Sequence, residues 1–134
     1  MCQKRFGSLI KTVYIGGGIM AIYCFDLDDT ICIPRNGAKN SQEKYGKADP
    51  VSEVISKLNS IYDAGHEVII FTARRMLTHK GNLERIEIDV GDITRNWLSN
   101  HDVRYNKLIF GKPYADFYVD DKAVNLDTFI RMPE

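Results

Sequence analysis

The hydrophobic pattern of this chain becomes legible at residue 21. Ala21-Ile22-Tyr23-Cys24-Phe25 is a short apolar run that stops at acids, as a buried parallel strand does. Val51, Val54, Ile55, Leu58, Ile61 and Tyr62 then recur at helical spacing, with Asp49 as the expected N-cap, Pro50 at the first helical position and Gly65 as terminator. Glu67-Val68-Ile69-Ile70-Phe71 predicts a second strand, and Ile93, Trp97 and Leu98 mark a later helix. Lys107-Leu108-Ile109-Phe110 predicts a third strand and Asp116-Phe117-Tyr118-Val119 a fourth. Ala123, Val124, Leu126, Phe129 and Ile130 fit a closing helix.

Strands alternating with helices predict a Rossmann-like, three-layer α/β/α fold with a mainly parallel sheet, covered on both faces, and with ligands at the strand carboxyl ends. Residues 33–48 and 76–91 carry no clear assignment, although Ile86, Ile88 and Val90 alternate briefly. The first 20 residues show no clear periodicity and read as an N-terminal tail, with Met20 a candidate start. Residues 21–134 form the expected single domain. Any large cap domain would have to fit the gaps 31–49 or 73–91, which are too short, so the site should be open and shaped by loops or by a neighbouring copy in a homo-oligomer.

Composition narrows the function. The 134 residues suit one core, and 44% hydrophobic with 27% charged residues is the balance of an ordinary globular protein. Lysine plus arginine and aspartate plus glutamate number 18 each, so no net basic field attracts nucleic acid, and no nucleic-acid partner is expected. Cys2, Cys24 and Cys32 have no metal-ligand spacing and leave an odd number, which suggests reduced thiols in the cytoplasm. No apolar run approaches the roughly 18–20 residues of a membrane span. Any anionic substrate must be caught locally.

The candidate chemistry lies just past predicted strand ends: Asp26-Leu27-Asp28-Asp29-Thr30, Thr72, Lys112 and Asp120-Asp121. If the strands lie side by side, Asp26, Asp28, Asp120 and Asp121 crowd one rim and would repel strongly, so a cation is expected there. All-oxygen ligands with room for water and phosphate favour Mg2+. A metal and Lys112 would offset the repulsion between a phosphate dianion and Asp26, the natural nucleophile for an aspartyl-phosphate. Asp28, two residues on, is placed to protonate the leaving alkoxide and later to deprotonate water. Thr72 and Lys112 would stabilise the phosphoryl group, and Arg74 or Arg75 would touch a second anionic group of the substrate.

In that order these residues resemble the four motifs of the haloacid dehalogenase-like superfamily, and the resemblance covers nearly everything after Met20. Each motif alone is common; the ordered set at strand ends is specific. The resemblance implies Asp26 as nucleophile and metal ligand, and Asp28 as acid/base and as metal ligand through its backbone carbonyl. It leaves Asp120 and Asp121 as the remaining magnesium acids. Asp121 is favoured as the direct ligand because the family follows this acid with another four residues later, although here that position is Asn125. Asp29 stands where many members carry glycine. Gly65-His66, Phe71-Thr72-Ala73-Arg74, Gly111-Lys112-Pro113-Tyr114-Ala115-Asp116 and Val119-Asp120-Asp121-Lys122-Ala123 look like small phosphatases of bacterial capsule and surface-sugar synthesis.

The leading expectation is therefore Mg2+-dependent hydrolysis of a small phosphorylated substrate, a sugar or polyol phosphate, through phospho-Asp26. The alternatives are a phospho-accepting signalling module, whose acid pair comes first rather than last, and a polynucleotide-end phosphatase. His66, His79 and His101 are assigned no chemistry. Cys24 is expected in the core and Cys32 at the rim. Core packing or strand-end anchoring is expected for Tyr45, Tyr105, Tyr114 and Trp97.

Overall fold

The computed structural model describes residues 13–15 and 18–133, with side chains from Met20 onward. Strands β1 (Val13–Ile15) and β2 (Gly18–Met20) pair antiparallel, apart from the main sheet. The rest of the expected N-terminal tail, residues 1–12 and 16–17, lies outside the described residues. The main sheet is parallel. It begins at β3 (Ile22–Phe25) and continues, after β4 (Cys32–Ile33), α1 (Ser41–Gly46), β5 (Asp49–Pro50) and α2 (Ser52–Asp63), with β6 (Glu67–Thr72). Helix α3 (Leu83–Ile86) runs through a π-helical turn (Glu87–Gly91) into α4 (Asp92–Asn100), and β7 (Lys107–Phe110) and α5 (Leu126–Arg131) follow. The strand order β3-β6-β7 and the helices between the strands make a Rossmann-like α/β fold.

Because side chains alternate across a strand, Phe25, Val68 and Ile70 share one face and are at most 8% exposed. Val54 and Leu58 of α2 and Leu98 of α4, all at 0% exposure, join that cluster. Each such aliphatic side chain contributes about 1.5–3 kcal/mol relative to an exposed one. Phe129 of α5 meets Phe25 edge to face at 5.4 Å. Lys57, buried in α2, ties the two helices by donating to the Phe129 carbonyl. The opposite face carries Ile22, Cys24 and Ile109 toward solvent.

Three local expectations change. Asp49 does not cap α2: its carboxylate accepts from Arg35 at 3.2 Å, and Asp49–Pro50 pairs with β4, an edge position that proline tolerates. Helix α2 starts two residues later, at Ser52, with Val51 at the cap position and no side-chain cap. It does end as expected. Gly65, at φ 97°, donates to the Tyr62 carbonyl while His66 donates to that of Ile61, the paired bonds of a Schellman closure. Residues 116–119 form no strand: they pair with neither edge of the sheet, and Phe117 and Val119 stand 86% and 97% exposed. Cys24 is exposed rather than in the core, because it lies on the open face of β3.

Candidate active site at the carboxyl edge of the sheet

Asp26 follows the last residue of β3. The chain then folds back on the Leu27 carbonyl, which accepts from the amides of Thr30 (3.2 Å), Ile31 (2.8 Å) and Cys32 (3.2 Å). Leu27 and Ile31 are fully buried and anchor this turn, leaving Asp26 and Asp28 at an open cavity of about 510 Å³. Asp29 sits at φ 64°, in the left-handed region that favours glycine and admits aspartate. That conformation accounts for the glycine so common at this position in the family the motifs resemble.

Two strands away, β7 ends beside β6, and the Lys112 amide donates to the Thr72 carbonyl at 3.1 Å. This carries the Lys112 ammonium to 3.4 Å from Asp26 Oδ1. Thr30 Oγ1 donates to the other oxygen, Oδ2, at 3.4 Å. Thr72 is buried, and its hydroxyl oxygen accepts from the Arg74 amide at 3.0 Å, leaving its hydrogen free to turn toward the cavity that it lines. Asp26, Asp28, Thr72 and Lys112 are thus brought together as expected.

Arg74 is placed differently. It is 4% exposed, and its guanidinium holds both oxygens of Asp28, from Nη2 to Oδ1 at 2.6 Å and from Nε to Oδ2 at 3.1 Å. Nη1 donates to Thr94 Oγ1 at 2.8 Å, and the guanidinium plane lies 4.1 Å from the centre of the Tyr45 ring. Its donors are divided among Asp28, Thr94 and Cys32. Cys32 lies beneath this pair rather than at the rim: its thiol donates to Asp28 Oδ1 at 3.5 Å, and burial, reinforced by the Asp28 charge, pushes its pKa up to about 12.

Lys44, Tyr45 and Arg75 complete the wall on the side of α1. The Arg75 side chain is fixed by Asp89 (3.5 Å), Ser41 Oγ (3.0 Å) and Thr78 Oγ1 (3.3 Å). Asp89 also accepts from Ser41 Oγ at 2.6 Å and meets His79 Nε2 at 2.8 Å. Burial raises the Asp89 pKa, but the hydrogen bonds from Ser41 and His79 and the Arg75 charge outweigh it and hold the group below the usual carboxylate range. Tyr45 is buried as expected, yet it also faces the cavity; Tyr114, by contrast, is 56% exposed. No local pattern marks Lys44 or Tyr45, since they lie within residues 33–48 and only tertiary packing brings them to Asp26.

Asp120 and Asp121 do not line this cavity. Asp120 Oδ1 accepts from the Lys122 amide at 2.9 Å, and Asn125 caps α5 by accepting from the Thr128 amide at 3.0 Å. Among the described residues no three acidic, histidine or cysteine side chains gather around a cation position. The acids at the cavity are Asp26, Asp28 and Asp29, so of the four residues expected to hold magnesium Asp26 and Asp28 are at the cavity and Asp120 and Asp121 are not in its lining. A smaller cavity of about 160 Å³ lies beside Tyr23, Lys57 and His66, with no acid in its lining. Among the described residues no helix is long and apolar enough to cross a membrane.

A carboxylate open to the cavity, a lysine within reach of it and a buried threonine, all at the carboxyl edge of a parallel sheet, are the arrangement of a phosphatase of the haloacid dehalogenase-like kind. The chain belongs to the polynucleotide kinase 3 phosphatase family, whose model matches residues 21–105, and it is accordingly a phosphoric monoester hydrolase. A crystal structure of a target protein from Vibrio cholerae is 35% identical, with a TM-score of 0.74 over 85% of this chain and 90% of that one. Two further structures share the fold alone. A chain of the Pnkp1/Rnl/Hen1 complex is 19% identical, with a TM-score of 0.50 over 84% of this chain and 34% of that one. A chain of the Pnkp1/Rnl/Hen1 RNA repair complex is 17% identical, with a TM-score of 0.50 over 94% and 34%. No curated protein matches the chain.

The family match overturns the expectation that no nucleic acid is involved. Net charge is a property of the whole chain, whereas a phosphate end meets only one wall. Here Lys44, Arg74, Arg75 and Lys112 line the cavity together with Asp26, Asp28 and Asp29, a small local excess of positive charge in a chain whose net charge is zero.

Proposed function

We propose that this chain removes the terminal phosphate from polynucleotide 3′ ends through a phospho-Asp26 intermediate. The observation that carries the reading is the family match over residues 21–105, which contains Asp26, Asp28, Thr72 and Arg74. Lys112 offsets the charge of the entering phosphoryl group and the Thr72 hydroxyl donates to one of its oxygens. An Asp26 oxygen attacks phosphorus, the bond to the sugar oxygen breaks, and the leaving oxygen takes the electron pair and a proton delivered at Asp28. Water then attacks the phosphoryl group and gives its proton to Asp28, and Asp26 is released as carboxylate. A carboxylate has about four acceptor sites, so the Arg74 fork leaves Asp28 capacity for this exchange.

Phosphatases of this kind generally use magnesium. Asp26 and the Asp28 backbone carbonyl are the expected ligands that lie at the cavity and would hold such an ion, which would offset phosphoryl charge; the steps above rest on the protein's own groups.

The test is phosphate release from an oligonucleotide with a 3′-phosphate, one with a 5′-phosphate, and sugar and polyol phosphates, each with and without magnesium. The expected result is preference for the 3′-phosphate and loss of turnover by at least about a thousandfold in Asp26→Asn. Faster release from a sugar or polyol phosphate would replace this reading with the surface-sugar one.

A further inference from the structure

Arg75 is an arginine at the cavity that the chemical steps do not use. Its neighbour Arg74 is buried with its fork closed on Asp28, whereas the Arg75 side chain is 21% exposed and its Nη1 and Nη2 each keep a second N–H beyond the bonds to Thr78 and Ser41. Three parts of the chain converge to hold it: Ser41 from α1, Thr78 from the loop after β6, and Asp89 from the π-helical turn. Its backbone takes φ 63°, a left-handed conformation that non-glycine residues seldom adopt and that the surrounding contacts sustain. Its Nε is buried without a hydrogen bond, and its charged plane lies 5.2 Å from the Tyr45 ring centre. Lys44 lines the same cavity, and its ammonium lies 5.5 Å from that ring centre.

A fixed guanidinium fork matches the paired oxygens of a phosphodiester, and a neighbouring lysine offsets the part of its charge that Asp89 neutralises. A sugar phosphate offers one anionic group. A polynucleotide 3′ end offers a second, the phosphodiester one nucleotide back from the terminal phosphate. A cavity of about 510 Å³ is within the range that holds ligands of nucleotide size.

We propose that Arg75, with Lys44 lining the same cavity, binds this penultimate phosphodiester and so makes the site prefer a polynucleotide end over a mononucleotide. The assignment rests on the polynucleotide-end reading.

The experiment compares a nucleoside 3′-monophosphate with a dinucleotide bearing a 3′-phosphate, using wild type, Arg75→Gln, Arg75→Lys and Lys44→Gln. In Arg75→Gln, kcat/KM should fall roughly tenfold more for the dinucleotide than for the monophosphate, through KM rather than kcat. Arg75→Lys should fall between Arg75→Gln and wild type, and Lys44→Gln should repeat the bias more weakly, with thermal melts confirming folded protein. Equal loss on both substrates, or no loss, overturns the assignment. If wild type hydrolyses neither nucleotide, the polynucleotide reading fails on its own. Dinucleotide binding to Asp26→Asn then decides Arg75: affinity that drops roughly tenfold with Arg75→Gln supports it, and unchanged affinity overturns it.

Discussion

The Arg74 guanidinium closes a two-point fork on the Asp28 carboxylate, at 2.6 and 3.1 Å, with Arg74 4% exposed and the Asp28 side chain 25% exposed. The fork sets the direction in which Asp28 faces the cavity, and the Thr94 hydroxyl and the Tyr45 ring hold the guanidinium in turn. Arg74→Lys keeps the charge but loses the fork, so kcat should drop roughly 10- to 100-fold with the fold retained. Arg74→Ala leaves Asp28 without its partner and should also cost about 2–3 kcal/mol of stability, below the range for a fully buried pair because Asp28 keeps some water. Chemical denaturation alongside single-turnover kinetics separates the two effects. An Arg74→Lys protein with wild-type kcat would show that the fork does not position Asp28.

The turn after β3 allows a second prediction. Asp29 has φ 64° and its amide donates to the Cys32 carbonyl at 2.7 Å. A β-branched residue at this φ is strained, so Asp29→Val should destabilise the protein by about 1–2 kcal/mol and displace both flanking acids. Asp29→Gly removes the strain, offset by greater freedom of the unfolded chain, and should lie within about 1 kcal/mol of wild type with activity retained. Urea melts of the two variants check the difference. Equal stability of Val and Gly at this position would show that the backbone conformation is not what selects the residue.

Asp89 links pH to stability. Its folded pKa is depressed, so its contribution is fully present above the unfolded carboxylate pKa of about 3.9 and is lost as pH falls through the lower folded value. Stability measured from pH 7 to pH 2 should therefore decline in the acid limb. Asp89→Asn should flatten that limb while lowering stability at neutral pH, since Arg75 and His79 lose their carboxylate. An acid limb of unchanged slope in Asp89→Asn would place the linkage elsewhere.

Much of this site was legible because its residues follow strand ends, and strand ends are set by local apolar runs. Asp26 after Phe25 and Thr72 after Phe71 need only a short apolar run and a stop to be located. The Ser41–Asp89 and Arg74–Asp28 contacts span 48 and 46 residues, so no local pattern encodes them. Residues 86–90 carried no assignment for a different reason. Their brief alternation is a helical repeat, with Ile86 and Val90 fully buried and Ile88 79% exposed. The Asp116-Phe117-Tyr118-Val119 run has the composition of a strand, but a strand exists only when a neighbour completes its ladder, and this one has none. Asp49 has the side chain of a cap, yet Arg35, 14 residues earlier, takes its carboxylate.

The two cysteines near the site give a final prediction. Cys24 and Cys32 both have raised thiol pKa values, each chiefly through burial, but Lys112 opposes the rise at Cys24, which is exposed, while Cys32 is fully buried with Asp28 against its sulfur. With a pKa of about 12, Cys32 carries a thiolate fraction of roughly one in ten thousand at pH 8, and alkylation requires the thiolate. Iodoacetamide at pH 8 should therefore modify Cys24 in folded protein and leave Cys32 unmodified until denaturant is added, as read by peptide mass spectrometry. Since the Cys32 thiol donates to Asp28 Oδ1, Arg74→Ala should loosen this corner and speed its labelling. Rapid modification of Cys32 in folded wild type would mean that the layer beneath Asp28 opens readily, and that Arg74 does not keep it closed.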